Sequence, residues 1–101
     1  MRILFVTPHV GRKSDMRYVR TWQMEPLTIA TLAALTPNDV EIEYVDERLG
    51  EHIDYSIHRD LVVITVETYT AKRSYEICAE CREHGLTTVL GGYHVMLLPQ
   101  E

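Results

Sequence analysis

The sequence predicts a doubly wound α/β domain built on a parallel sheet of strand order 2-1-3-4. Three observations carry the prediction. The runs Arg2-Ile-Leu-Phe-Val-Thr7 and Leu61-Val-Val-Ile-Thr65 are apolar without alternation, as strands read when both faces of a parallel sheet are covered. Val40-Glu-Ile-Glu-Tyr-Val45 alternates apolar and acidic residues instead, the pattern of an edge strand with one wet face. Helical patterns follow the first and third of these runs, and a strand–helix–strand rhythm with right-handed crossovers yields the stated order.

Each element is justified in turn. The first strand stops at Pro8, and residues 9–23 carry no periodicity; Gly11, Arg12, Lys13, Ser14 and Asp15 read as a loop. Glu25-Pro26 opens a helix, because proline at a first helical position gives up an N–H that has no partner anyway. Leu27, Ile29, Ala30, Leu32, Ala34 and Leu35 give that helix a broad apolar face, and Pro37 stops it. Asp46 ends the edge strand, and residues 47–59 are polar with room for a short helix at most. A second helix is expected from about Thr70 to His84, with a stripe of Ala71, Tyr75, Cys78 and Arg82, with Ser74, Ile77 and Cys81 beside it, and a stop at Gly85. Thr87-Thr-Val-Leu90 forms the fourth strand, ending in Gly91-Gly92.

That layout is the flavodoxin-like, Rossmann-type fold, which ordinarily continues into a fifth strand and a final helix. Residues 1–101 are therefore expected to be one domain, cut from a longer protein, with the fourth strand left as an edge prone to pairing into a dimer. With 46% hydrophobic and 25% charged residues the chain is ordinary globular material. A net charge of -5 excludes nucleic acid and anionic membrane as partners, since Arg12-Lys13 and Lys72-Arg73 are too short to bind phosphates in number. No apolar stretch reaches membrane-spanning length and no signal-peptide layout opens the chain, so the expected location is cytoplasmic. Cys78-Ala-Glu-Cys81 stands within a helix and lacks a second ligand pair, so it reads as two small apolar residues on a core stripe rather than a redox or zinc site.

An open sheet of this kind puts its ligand crevice at the carboxyl ends of its strands. Three tips meet there: Thr7-Pro8-His9, the stretch from Thr65 through Glu67, Thr68 and Tyr69 to Thr70, and Gly91-Gly92-Tyr93-His94. Hydroxyl and small side chains dominate. A glycine pair lets backbone approach a bulky ligand, though it also makes a plain turn; Thr65 and Thr68 can equally serve as strand end and helix cap. No glycine-rich phosphate loop follows the first strand, which excludes nucleotide hydrolysis and ordinary dinucleotide binding.

Taken together, Thr7-Pro8, Glu25-Pro-Leu-Thr-Ile-Ala-Thr-Leu-Ala-Ala-Leu35, Val45-Asp46, Asp60-Leu-Val-Val-Ile-Thr-Val66, Tyr75-Glu-Ile77, Gly91-Gly-Tyr-His94 and Leu98-Pro-Gln-Glu101 resemble the N-terminal cobalamin-binding domain of cobalamin-dependent radical S-adenosylmethionine (SAM) enzymes. The resemblance runs through essentially the whole chain. It implies a module that holds cobalamin (vitamin B12) across the carboxyl edge for a downstream radical SAM domain of the same polypeptide, of methyltransferase or cyclase type. The cofactor contacts it implies are Thr7, Pro8, His9, Thr65, Glu67, Thr68, Tyr69, Gly91, Gly92, Tyr93 and His94.

The resemblance has departures. Thr65-Val66-Glu67 stands where related modules accommodate the cofactor's nucleotide tail with Ser-x-Leu; the hydroxyl is kept, the leucine is not. Thr7-Pro8-His9-Val10-Gly11 lacks the Asp of the Asp-x-His-x-x-Gly motif that ligates cobalt, so His9 reads first as a loop histidine in solvent and only second as a metal ligand. His94 either contacts corrin amides or caps the next helix, and His52, His58 and His84 read as surface residues. The Cys-x-x-x-Cys-x-x-Cys motif of the radical enzymes is absent, which assigns the iron–sulfur cluster and S-adenosylmethionine to another part of the parent. Rival readings are a receiver-type signalling domain, for which Thr65 stands where the phosphoacceptor Asp belongs, an FMN-binding domain, for which the loop with Arg12, Lys13 and Arg17 is too long, and a docking module without cofactor.

Overall fold

A computed structural model describes residues 1–11 and 26–101. The expected loop residues Arg12, Lys13 and Arg17, and the helix-opening Glu25, lie outside the described residues. The elements are β1 (Arg2–Thr7), α1 (Leu27–Leu35), β2 (Glu41–Asp46), β3 (Leu61–Thr65), α2 (Ala71–Glu83), β4 (Thr88–Gly91) and α3 (Tyr93–Leu97), with short 3-10 turns at Glu47–Leu49 and Thr68–Thr70. The four strands form one sheet of order β2-β1-β3-β4, parallel throughout, as the sequence predicts. Register aligns their carboxyl ends: Thr7 pairs with Asp46, Val6 with Ile64, and Thr65 with Gly91. The chain is therefore a flavodoxin-like α/β fold with β2 and β4 at its edges.

The core lies on one face of that sheet. Leu4, Val6, Val62, Ile64 and Val66 are wholly buried there against Ile77 and Cys81 of α2. The buried stripe of α2 is Ala71, Ser74, Ile77 and Cys81, whereas Tyr75 and Cys78 are half-buried and Arg82 is exposed. Of the two stripes expected, the one carrying a serine faces inward, because the Ser74 hydroxyl donates to the Thr70 carbonyl at 2.9 Å and so brings no unmet polar group into the core.

Two expectations need correction. The alternate residues of β3, Leu61 and Val63, are half-exposed, so the continuous apolar run does not mark two sealed faces. The broad apolar face of α1 is not buried as a unit. Ile29 is its one buried side chain, while Leu27 and Leu35 are 65% and 77% exposed. The physical reason is visible in Leu-Thr-Ile-Ala-Thr-Leu-Ala-Ala-Leu: apolar residues fall on every side of this helix, so no single stripe directs its packing.

Glycine decides the closure at the carboxyl edge. Gly92 has φ +109, and a Cβ there would stand 2.5 Å from the Val66 carbonyl oxygen. The chain turns out of β4 by pressing its backbone onto β3, held by Val66 N–H donating to the Gly91 carbonyl at 2.7 Å. Gly92 thus makes room for Val66 rather than for a ligand. Gly91, where an added Cβ meets nothing within 4 Å, is the glycine with open space beside it. Gly92→Ala is expected to destabilise the fold by about 1–3 kcal/mol and Gly91→Ala by well under about 1 kcal/mol, measured as urea midpoints. Equal midpoints for the two variants would refute this account.

Candidate functional site

The strand ends that register has aligned are the floor of a trough. Thr7, Pro8, Thr65, Glu67 and Tyr69 line its inner end together with Arg48, and Pro26 to Ile29 of the α1 start close over it. A contiguous opening shares Thr28, Thr65 and Glu67 and continues to Gly92, Tyr93 and Met96. The two enclose about 360 and 420 Å3, within the range of small-molecule and cofactor sites. Tyr69, Tyr93 and Met96 are exposed, so the trough has hydroxyl groups along its floor and aromatic or apolar surface on its rim.

Each floor residue is held by its neighbours. The Thr7 hydroxyl and the Tyr44 hydroxyl are 2.9 Å apart, and the Thr65 hydroxyl donates to the Val6 carbonyl at 3.4 Å. Burial raises the Tyr44 phenol, with the bond to Thr7 opposing it. Glu67 occupies the N-cap of the 3-10 turn in a reciprocal capping box with Thr70, whose hydroxyl also accepts from the Glu67 N–H at 3.0 Å. That cap gives the acid at position 67 a local structural role.

Apart from Glu67, the charges nearest the trough are committed to one another. Arg48 grips Asp46 bidentately, Nε to Oδ1 at 2.9 Å and Nη2 to Oδ2 at 2.7 Å. Burial pushes the Asp46 carboxyl upward, but the hydrogen bond and charge of Arg48 outweigh it and hold the group below the ordinary range. Glu47, 2% exposed, accepts from Arg73 Nε at 3.0 Å and Nη2 at 2.7 Å, and from the His9 backbone N–H at 3.3 Å.

Sequence-based site residues are thus mostly brought together. Thr7, Pro8, Thr65, Glu67, Tyr69, Gly92 and Tyr93 line the trough, and Gly91 ends the adjoining strand. Thr68, His9 and His94 are not among the lining residues. His9 is 14% exposed, with Nε2 at 3.9 Å from the Glu47 carboxylate, so it is neither a loop histidine in solvent nor a lining residue. Pairing with a buried carboxylate draws it inward. His94 lies on α3 but caps nothing; it is buried, with Nδ1 3.2 Å from the Thr68 hydroxyl. Cys78 and Cys81 are free core thiols, both raised by burial and Cys81 to about 11, as expected of inert cysteines. Among the described residues no three His, Cys, Asp or Glu side chains gather as a metal site.

Arg48, Thr28 and Met96 are missed by the sequence reading. For Arg48 a signal existed: β2 is parallel to its neighbours, so residues just past Asp46 must reach the same edge.

The fold and the trough define an open α/β domain of flavodoxin-like type with an open trough along its carboxyl edge. In sequence it is similar to the bacteriochlorophyllide d C-8(2)-methyltransferase of Chlorobaculum tepidum, 43% identical over 75 residues, which is 74% of this chain and 17% of that enzyme. It is also similar to the bacteriochlorophyllide d C-12(1)-methyltransferase of the same organism, 33% identical over 78 residues, again 17% of the relative. The chain therefore spans about a sixth of the curated relatives it matches, and the resemblance read from the residues is borne out in them. No family model matches the chain, and no solved structure does. Among the described residues no helix is long and apolar enough to cross a membrane.

Two outcomes follow from these ion pairs. Arg73→Met strands the Glu47 carboxylate and is expected to cost about 3 kcal/mol in urea unfolding, much of it recovered in the double variant with Glu47→Leu; an additive double variant would contradict the pairing. Asp46 has a depressed folded pKa, as do the exposed Asp54 and Asp60, so their stabilisation is complete above the unfolded value of about 3.9 and is lost as pH falls through the folded values. Urea midpoints should be level above about pH 5 and fall below about pH 4, less steeply in Asp46→Asn.

Proposed function

We propose that this chain is the cobalamin-binding module of a B12-dependent radical SAM methyltransferase acting on a chlorophyll-type tetrapyrrole. The single observation that carries the reading is the trough: aligned strand ends with hydroxyl groups beneath, exposed Tyr69, Tyr93 and Met96 along the rim, and its one lining arginine among the described residues, Arg48, gripping Asp46. A flat, uncharged, amide-bearing macrocycle suits such a surface, where an anion such as a free phosphate meets no uncommitted basic cluster. The residue pattern from Thr7 to Glu101 and the two methyltransferase relatives support the same reading.

The residues present fit the group. Thr7 and Thr65 lie where the macrocycle's polar rim would reach, Tyr69 and Tyr93 offer faces for its apolar surface, and the free space beside Gly91 leaves a way past the sheet edge. His9 faces Glu47 instead of the trough, so it is not among the residues that would hold the group. When bound, cobalamin supplies a cobalt centre able to carry a methyl group. The chain's own contribution is to bind and orient it and to keep one face toward a radical SAM domain, which with its iron–sulfur cluster and S-adenosylmethionine belongs to the rest of the parent.

The test is retention of hydroxocobalamin through desalting, with FMN as the rival ligand. Corrin colour held by the chain and no FMN bound is the expected result; FMN retention in its place would overturn the reading. Tyr69→Ala with Tyr93→Ala removes two exposed rings that the fold does not need. The pair is expected to weaken retention roughly tenfold with an unchanged melting temperature, since each ring contact is worth about 0.5–1.5 kcal/mol.

A further inference from the structure

His94 is 6% exposed, and both of its ring nitrogens are engaged. Nδ1 lies 3.2 Å from the Thr68 hydroxyl oxygen, and Nε2 lies 3.1 Å from Oε2 of Glu101. The Tyr75 ring stands tilted beside the imidazole, their centroids 6.4 Å apart. The His94 N–H donates to the Val66 carbonyl at 3.4 Å, and Leu98 N–H donates to the His94 carbonyl at 2.9 Å. The imidazole is therefore fixed in place between the β3 tip and the segment after α3.

The chemistry of the three partners sets the direction of each hydrogen. An ionised carboxylate has no proton to give, so Nε2 carries the hydrogen and Glu101 accepts it. In a neutral imidazole Nδ1 is then a bare acceptor, and the Thr68 O–H is the group placed to fill it. A threonine hydroxyl has one hydrogen. With that hydrogen turned inward, its remaining lone pairs face out. Thr68 is exposed and sits between Glu67 and Tyr69, which both line the trough.

We propose that Glu101, acting through His94, holds the Thr68 hydroxyl as a hydrogen-bond acceptor at the trough rim, where it selects ligands presenting amide N–H groups over ligands presenting carboxylates. The inference rests on the corrinoid reading above, because that macrocycle bears primary carboxamides around its edge. An amide N–H meets a lone pair; a carboxylate at the same point sets lone pair against lone pair and leaves both without a partner. Glu101 and His94 are positioning residues, and Thr68 is the contact.

Binding of hydroxocobalamin and of its separated monocarboxylic acids, each with one peripheral amide hydrolysed, is compared by spectroscopic titration in mildly alkaline buffer. The wild-type chain is expected to bind hydroxocobalamin about tenfold more tightly than at least one of the acids. Thr68→Val and Glu101→Gln are both expected to bring that ratio close to one, the first by removing the acceptor and the second by releasing the tautomer. Nitrogen-15 NMR of the ligand-free chain should find the hydrogen of His94 on Nε2 in the wild type and shared between the nitrogens in Glu101→Gln. Equal affinity of the wild type for amide and acids, an undiminished ratio in either variant, or a hydrogen on Nδ1 overturns the proposal. A wild-type chain that retains no corrinoid overturns the corrinoid reading and this ligand assignment together, while the NMR result still decides the hydrogen-bond relay by itself.

Discussion

A carboxylate with almost no exposure holds the carboxyl edge together. Glu47 follows β2, yet it receives two hydrogens from Arg73 on α2 and one from the backbone of His9 beyond β1. Three segments far apart in sequence thus converge on one pair of oxygens. A buried charge is tolerated only when its partners are in place, because removing one of them leaves a desolvation cost of several kcal/mol with nothing to offset it. That constraint fixes the exit of β1, and with it the position of Thr7 and Pro8 over the trough.

The neighbouring charges obey the same rule with a functional consequence. Asp46 and Arg48 satisfy each other, and Arg59 and Arg2 settle the acidic residues Glu43 and Glu41 on the edge strand. What remains along the strand ends is hydroxyl and aromatic surface together with the Glu67 carboxylate. On such a surface hydrogen-bond direction and shape count beside charge, and the proposed role of the Thr68 hydroxyl rests on that.

Closure at the other end of the trough depends on backbone rather than on side chains. The contact of Gly92 with Val66, at a φ that side chains rarely adopt, lets β4 turn sharply into α3 and carries His94 beneath the β3 tip. Without that turn the histidine could not reach Thr68, and the two apolar rim residues of α3, Tyr93 and Met96, would not face the opening.

The order and direction of the strands, the edge position of β2, the inert cysteines and the gathering of the strand tips at one edge were legible in the sequence, because hydrophobic period and turn chemistry are local properties that parallel-sheet topology converts into position. Thr65, Glu67, Tyr69 and Tyr93 could be placed at the carboxyl edge on that basis alone. The inward turn of His9 and the close approach of Gly92 to Val66 were decided by the tertiary structure. Each depends on a partner distant in the chain: the Glu47 carboxylate for His9, and for Gly92 the Val66 carbonyl oxygen, which occupies the space a side chain there would need. No periodicity records such partners, since a contact between residues dozens of positions apart leaves no local pattern in either of them.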